Sequence, residues 1–147
     1  MGQLNLPASS LIYLDTVAII YSIERFSEYI TLLDPMWEKL RSGEVSIVTS
    51  ELAVLETLVM PIRQSNNDLI RRYETLLFSS EVNLIPITQS ILKSAAMIRA
   101  QNNIKTPDSI HAATAMSSQC DFFITNDAGF RKISALPTII LKDVLND

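Results

Sequence analysis

"LIYLDTVAIIYSI", Leu11 to Ile23, is the stretch whose reading decides the fold. Four apolar residues of strand length stop at Asp15, and Thr16 to Ile23 then read as a helix, giving strand, turn, helix. The same succession recurs downstream. A second helix is predicted over Tyr29 to Arg41, with Asp34-Pro35 as a break or restart and Gly43 as its stop. "VSIVTS", Val45 to Ser50, alternates and is rich in β-branched residues, as a strand requires; a helix follows from Ser50 to about Met60, ended or bent by Pro61. Asn67 to Phe78 is helical. "VNLIPI", Val82 to Ile87, reads as a strand whose proline favours a sheet edge. Thr88 to Ala100 and Pro107 to Ser118 are helical, and "FFIT", Phe122 to Thr125, and "TIIL", Thr138 to Leu141, supply the fourth and fifth strands. Strands alternating with helices imply parallel βαβ units, hence an α/β fold in which helices cover both faces of a central parallel sheet of about five strands.

Composition sets the outer bounds. The 147 residues, 48% of them hydrophobic, suit one domain with a real core, and no repeat or linker divides residues 1–147. "MGQLNLPASS" at the start has no basic cluster, so no signal peptide is expected, and Glu56 interrupts the longest apolar run well short of a bilayer span. A soluble protein with no membrane association is expected. Cys120 stands alone, which excludes an intrachain disulfide or a multi-thiolate zinc site and suits a reducing cytoplasm. His111 is also alone, which excludes a two-histidine acid–base ribonuclease, and it reads as a packed or hydrogen-bonded helix residue. A net charge of −4 disfavours general nucleic-acid binding but leaves room for an acidic site joined to phosphate through a metal. Chemistry here must rest on carboxylates or hydroxyls.

The isolated acids fall in telling places. In open parallel sheets ligands bind at the carboxyl ends of the strands, where strand order reverses. Asp15 ends the first strand and Asp127 lies just past "FFIT", so both reach one edge if those strands are neighbours. Glu56 has Leu52, Ala53, Val59 and Met60 at helical distance, an apolar surround in which a carboxylate needs a partner. In "TPDSIHAATA", Thr106 suits a helix N-cap, Pro107 the first helical position, and Asp108 the first turn, while Ala112, Ala113 and Ala115 allow that helix to pack closely. Carboxylates gathered without a base raise one another's pKa, and a hard divalent cation, Mg²⁺ or Mn²⁺, relieves that conflict. Such ions activate water and neutralise charge on a phosphoryl group, so phosphodiester hydrolysis is the expected chemistry.

"YLDT" with Asp15, "VTSELAVLE" with Glu56, "TPDSIHAATA" with Asp108 and "CDFFITNDAGF" with Asp127 together resemble the PIN-domain family, in particular its VapC-type toxins. The resemblance spans nearly the whole chain. It implies a three-layer α/β/α sandwich, a pocket in which Asp15, Glu56, Asp108 and Asp127 are both the catalytic and the metal-holding residues, and endonuclease activity on RNA. Thr125 and Asn126 fall where the family places a hydroxyl and a variable polar residue, and so are supporting. Val17 departs from the polar residue many relatives carry after the Asp-Thr pair. Asp121 reads as an acid bracing the start of a strand. The resemblance further implies a small antitoxin partner and a two-fold homodimer. Among the basic candidates for RNA contact, which include Arg63, Arg71, Arg72, Lys93, Arg99 and Lys105, Arg131 and Lys132 are preferred because they closely follow Asp127. The expectation is a cytoplasmic, metal-dependent endoribonuclease, the toxin of a type II pair. The alternative is a catalytically silent PIN-like module that binds RNA or protein.

Overall fold

The first strand, β1 (Leu11–Leu14), lies at the centre of a five-stranded sheet. The computed structural model describes residues 2–147; Met1 lies outside the described residues. After β1 come α1 (Thr16–Ile23), α2 (Ser27–Arg41), β2 (Ser46–Ser50), α3 (Leu52–Arg63), α4 (Asn67–Leu77), β3 (Val82–Ile85), α5 (Gln89–Asn102), α6 (Thr106–Ser118) and β4 (Phe122–Thr125). A short 3₁₀ helix (Ala128–Lys132), β5 (Thr138–Ile140) and α7 (Leu141–Leu145) complete the order. The strands lie in the order β3-β2-β1-β4-β5 and every pairing is parallel. The chain therefore builds outward from β1 on one side, then returns to place β4 and β5 on the other. The order reverses between β1 and β4.

Alternation along the strands makes three layers. Ile12 and Leu14 of β1, Ile47 of β2 and Ile124 of β4 face a core completed by Ala18, Ile19, Leu33, Met36 and Trp37. Their neighbours Tyr13, Val48 and Phe123 face the opposite core, with Ile91, Ala95, Ile98, Ala112, Ala113 and Ala115. The small residues of α6 are the reason it lies so close: Ser109 through Ala115 includes six buried positions, and none carries a long aliphatic chain.

Most boundaries match the sequence patterns, and the exceptions have physical causes. α2 runs straight through Pro35 instead of breaking at Asp34-Pro35. Leu32, Leu33, Met36 and Trp37 are all buried on either side of the proline, so packing of one continuous stripe outweighs the lost backbone hydrogen bond. Arg25 also clamps Asp34 through two 2.8 Å hydrogen bonds. Gly43, at φ +79°, follows the helix in the left-handed conformation that its stop signal predicts. Pro61 lies inside the last turn of α3, buried, and the helix continues to Arg63. Strand β3 ends at Ile85, before Pro86, and does lie at the edge. Thr106 does not cap α6: Lys105 occupies the cap position without a side-chain bond, and Thr106 is already helical. Leu141 leaves β5 to begin α7, an element the sequence did not announce. No described helix is long and apolar enough to cross a membrane.

Candidate active site

Four elements deliver the four acids to one place. Asp15 follows β1 and caps α1, its Oδ1 accepting from Thr16 N at 2.9 Å. Glu56 comes from the second turn of α3, Asp108 from the first turn of α6, and Asp127 follows β4. Together with Thr16, Val17, Ile20, Tyr21 and Asn126 they line a cavity of about 370 Å³. It opens at the carboxyl ends of β1 and β4, where the strand order reverses. A larger cavity of about 660 Å³ lies at the amino ends of the strands, lined by Leu11, Arg41, Ser46, Glu81 and Asn83 among others. It gathers no comparable set of reactive groups, so chemistry and not size selects the smaller one.

The acids differ in how they are held. Asp15 is 8% exposed; Thr125 Oγ1 donates to its Oδ2 at 2.6 Å, and burial pushes its pKa up against the lowering effects of His111 and these hydrogen bonds. Glu56 accepts on Oε1 from Thr16 Oγ1 at 2.7 Å and from His111 Nε2 at 2.6 Å. Burial raises its pKa, but the His111 hydrogen bond and charge outweigh that and leave it below the ordinary glutamate value. The Asp108 carboxyl is raised first by burial and then by the negative fields of Asp15, Asp127 and Glu56, with His111 opposing. No hydrogen bond contributes to its balance. Asp127 accepts from Gly129 N at 2.8 Å and so caps the 3₁₀ helix.

His111 is the residue that sequence reasoning set aside. It is 1% exposed, and its two ring nitrogens link the acids to the core: Nε2 to Glu56, and Nδ1 to Tyr13 Oη at 2.7 Å. A carboxylate only accepts, so Nε2 carries the proton and donates to it. Nε2 also lies 3.8 Å from Asp15 Oδ1. Burial lowers the imidazole pKa, yet Glu56, Asp15 and Asp108 together raise it above its ordinary value, favouring the cation. The one signal in the sequence is spacing: His111 follows Asp108 by three residues and shares its helix face.

A sequence model for the PIN domain matches residues 12–136. The chain belongs to the PIN domain family. No curated protein matches the sequence. Among solved structures, VapBC2 from Rickettsia felis, bound to a DNA fragment from its promoter, is similar at TM-score 0.72 and 15% identity, covering 88% of this chain and 98% of that one. A toxin–antitoxin complex from Klebsiella pneumoniae gives 0.64 and 23%, with coverages of 90% and 98%. VapC20 from Mycobacterium tuberculosis, described as a sarcin–ricin-loop cleaving toxin, gives 0.68 and 15%, with coverages of 82% and 92%. These likenesses establish the shared fold.

The remaining predicted residues of this PIN domain fall in two groups. Asn126 lines the cavity, donating to Tyr21 Oη at 3.1 Å and accepting from Lys142 N at 2.9 Å, whereas Thr125 is fully buried and reaches the site only by fixing Asp15. Arg131 instead pairs with Asp143 and lines neither this cavity nor its neighbour. Lys132 lines an adjoining recess. Asp121 braces the start of β1, its Oδ2 accepting from Leu11 N at 2.7 Å. Cys120 is half-buried, with burial pushing its thiol up to about 11, which keeps it unreactive. Among the described residues, no three His, Cys, Asp or Glu side chains approach closely enough to hold an ion by themselves. The donors are nevertheless all hard oxygens, and the negative fields of Asp15, Asp127 and Glu56 bear on Asp108 with only His111 opposing them. That chemistry fits a hydrated Mg²⁺ or Mn²⁺.

Proposed function

We propose that this PIN domain is a Mg²⁺- or Mn²⁺-dependent endoribonuclease, the toxin of a type II toxin–antitoxin pair. The observation that carries the reading is the convergence of Asp15, Glu56, Asp108 and Asp127, from four separate elements, on one cavity at the reversal point of the sheet. Asp15, Glu56, Asp108 and Asp127 would hold the ion, directly or through water, since among the described residues no three such side chains stand close enough to ligate it by themselves. The bound ion would supply charge neutralisation at the phosphoryl group and an acidified water. The chain's own side chains do the rest. Thr125 and the Thr16 amide fix both oxygens of Asp15, so its carboxylate faces the cavity in one orientation. His111 and Thr16 both bind Oε1 of Glu56, which leaves Oε2 for the cavity and for orienting a water. Asp108, raised by burial and by the negative fields of Asp15, Asp127 and Glu56, is a carboxylate whose ionised form a bound cation would stabilise.

A protein partner finds support on α3. Leu55, Val59 and Ile62 are exposed on the helix that carries Glu56, an apolar stripe beside the acids. The Klebsiella pneumoniae structure is a toxin–antitoxin complex, and by that analogy a small antitoxin would cover this stripe and the cavity in the cytoplasm, on a two-fold dimer of the chain. A small protein encoded immediately upstream and co-purifying with this chain is the expected result.

The catalytic reading is tested by incubating RNA with the protein and Mg²⁺, with EDTA, and with Asp15→Asn. Cleavage in the first arm alone supports it, and equal outcomes in all three end it. One observation favours the silent-module reading: no three acids are drawn together without an ion. Thermal melting separates the two, because a divalent ion that binds the folded state raises Tm with concentration. Unchanged melting with RNA binding retained would establish the silent module.

A further inference from the structure

Beside the acid cavity lies a second recess of about 250 Å³, and Asp108 and Asp127 form a wall common to both. Its other lining includes Asn103, Lys105, Gly129, Phe130 and Lys132. Of all residues lining the two recesses, only Lys105 and Lys132 are cations. They come from opposite sides, Lys105 from the turn before α6 and Lys132 from the end of the 3₁₀ helix after β4. Both are exposed, and neither forms an ion pair with any described acid, although two aspartates line the same recess. Three other cations of this chain are committed, Arg25 to Asp34, Arg131 to Asp143 and Arg72 to the carbonyl of Ile23.

We propose that this recess is a phosphate-binding subsite for single-stranded RNA, in which Lys105 and Lys132 hold the backbone phosphate next to the one placed among the acids. The inference rests on the ribonuclease reading and adds to it the path of the strand. The electrostatic problem is plain. A chain of net charge −4 that presents four carboxylates repels a polyanion, so affinity must come from cations placed beside the acids. Two lysines on the far side of Asp108 and Asp127 answer that requirement and set the direction in which the strand leaves the cavity. The recess reads backbone and not base, because its aromatic, Phe130, is only 2% exposed and packs against Phe123 at 4.7 Å between centroids. No ring is free to stack a base, so the contribution to affinity is the same for every sequence.

The experiment measures binding of labelled single-stranded oligoribonucleotides to the full chain carrying Asp15→Asn, with and without Lys105→Gln plus Lys132→Gln, across a salt series. The expected result is a rise in Kd of roughly tenfold, equal for unrelated sequences, and a salt slope reduced by about 0.7 for each phosphate that the lysines no longer neutralise. In the Asp15-intact protein the two lysine substitutions raise KM and leave kcat unchanged, and Lys132→Arg retains affinity. Unchanged Kd and slope overturn the subsite. An equal loss from Arg63→Gln plus Lys93→Gln, two exposed cations that line neither recess, also overturns it, since only net charge would then matter. Absence of RNA cleavage by the unsubstituted protein with Mg²⁺ would instead refute the ribonuclease reading, whatever the lysines do to binding.

Discussion

Strand β4 carries an aspartate at each end, and the two are used in opposite ways. Asp121, before the strand, accepts at Oδ2 from the Leu11 amide, while its own amide donates to the Leu11 carbonyl at 2.7 Å, so it sews β4 to β1. Asp127, after the strand, steadies a turn through Gly129 but also faces a cavity already lined by Asp15, Glu56 and Asp108. The amino end of the sheet satisfies its acid with backbone; the carboxyl end gathers acids faster than it satisfies them. Only the second arrangement leaves electrostatic work for a bound ion or substrate to do.

The largest effect that sharpens this contrast is expected from a pair of conservative substitutions. Asp15→Asn should lower kcat for RNA cleavage by roughly 10³-fold, since a lost interaction with a catalytic ion is worth several kcal/mol and each 1.36 kcal/mol is tenfold. Asp121→Asn should leave kcat unchanged and cost about 1 kcal/mol of stability, the scale of one hydrogen bond. Cleavage assays paired with urea unfolding report both. Comparable kinetic losses from the two variants would erase the distinction between the ends.

A smaller effect is expected at His111, which couples the acids to the opposite core. His111→Ala should destabilise the protein by about 1–3 kcal/mol by removing a partner from buried Tyr13 and half-buried Glu56. It should also lower activity some 10–100-fold, the range seen when groups that orient ion-holding residues are removed. His111→Gln, which keeps one donor, should recover part of the activity. Loss of stability without loss of activity would make the histidine a core residue only.

Much of this was legible in the sequence, and the unread part has a common cause. The short apolar runs "LIYL" and "FFIT" and the alternation of "VSIVTS" identified the central strands, and the positions of Asp15 and Asp127 just past strand ends put them at one edge once β1 and β4 proved to be neighbours. Glu56 stood out because its helical neighbours are apolar. What local pattern does not contain is a partner distant in the chain. Pro35 reads as a break until Leu33 and Met36 are seen to be buried together. His111 reads as inert until Glu56, 55 residues away, is seen 2.6 Å from its ring. Arg131 and Lys132, adjacent in sequence, part company because Asp143 of α7 draws one aside.

The smallest and most diagnostic expectation concerns Asp108. Because its pKa is raised, the folded protein binds that proton more tightly than the unfolded chain does. Stability of the metal-free protein therefore falls as pH rises from the ordinary 3.8 through the folded value, and the deficit persists at neutral pH. Asp15, also raised from 3.8, adds a deficit of the same sign, whereas Glu56, lowered from 4.5, contributes stability that is lost as pH drops below that value. Asp108→Asn removes one share of the repulsion. In EDTA at pH 7 its Tm should exceed that of the unsubstituted protein by about 2–4 °C for each kcal/mol relieved. Screening at a half-exposed carboxylate keeps the gain near or below the lower figure. The difference should vanish below the ordinary carboxylate range, where both proteins are neutral at that position. Mg²⁺ should then raise the unsubstituted protein's Tm more than the variant's, because the ion relieves the same repulsion that the substitution removes. A variant that melts lower than the parent in EDTA would show Asp108 to be a stabilising acid in the first turn of α6, structural as Asp121 is, and the contrast between the two ends of β4 would no longer extend to the helix that faces it.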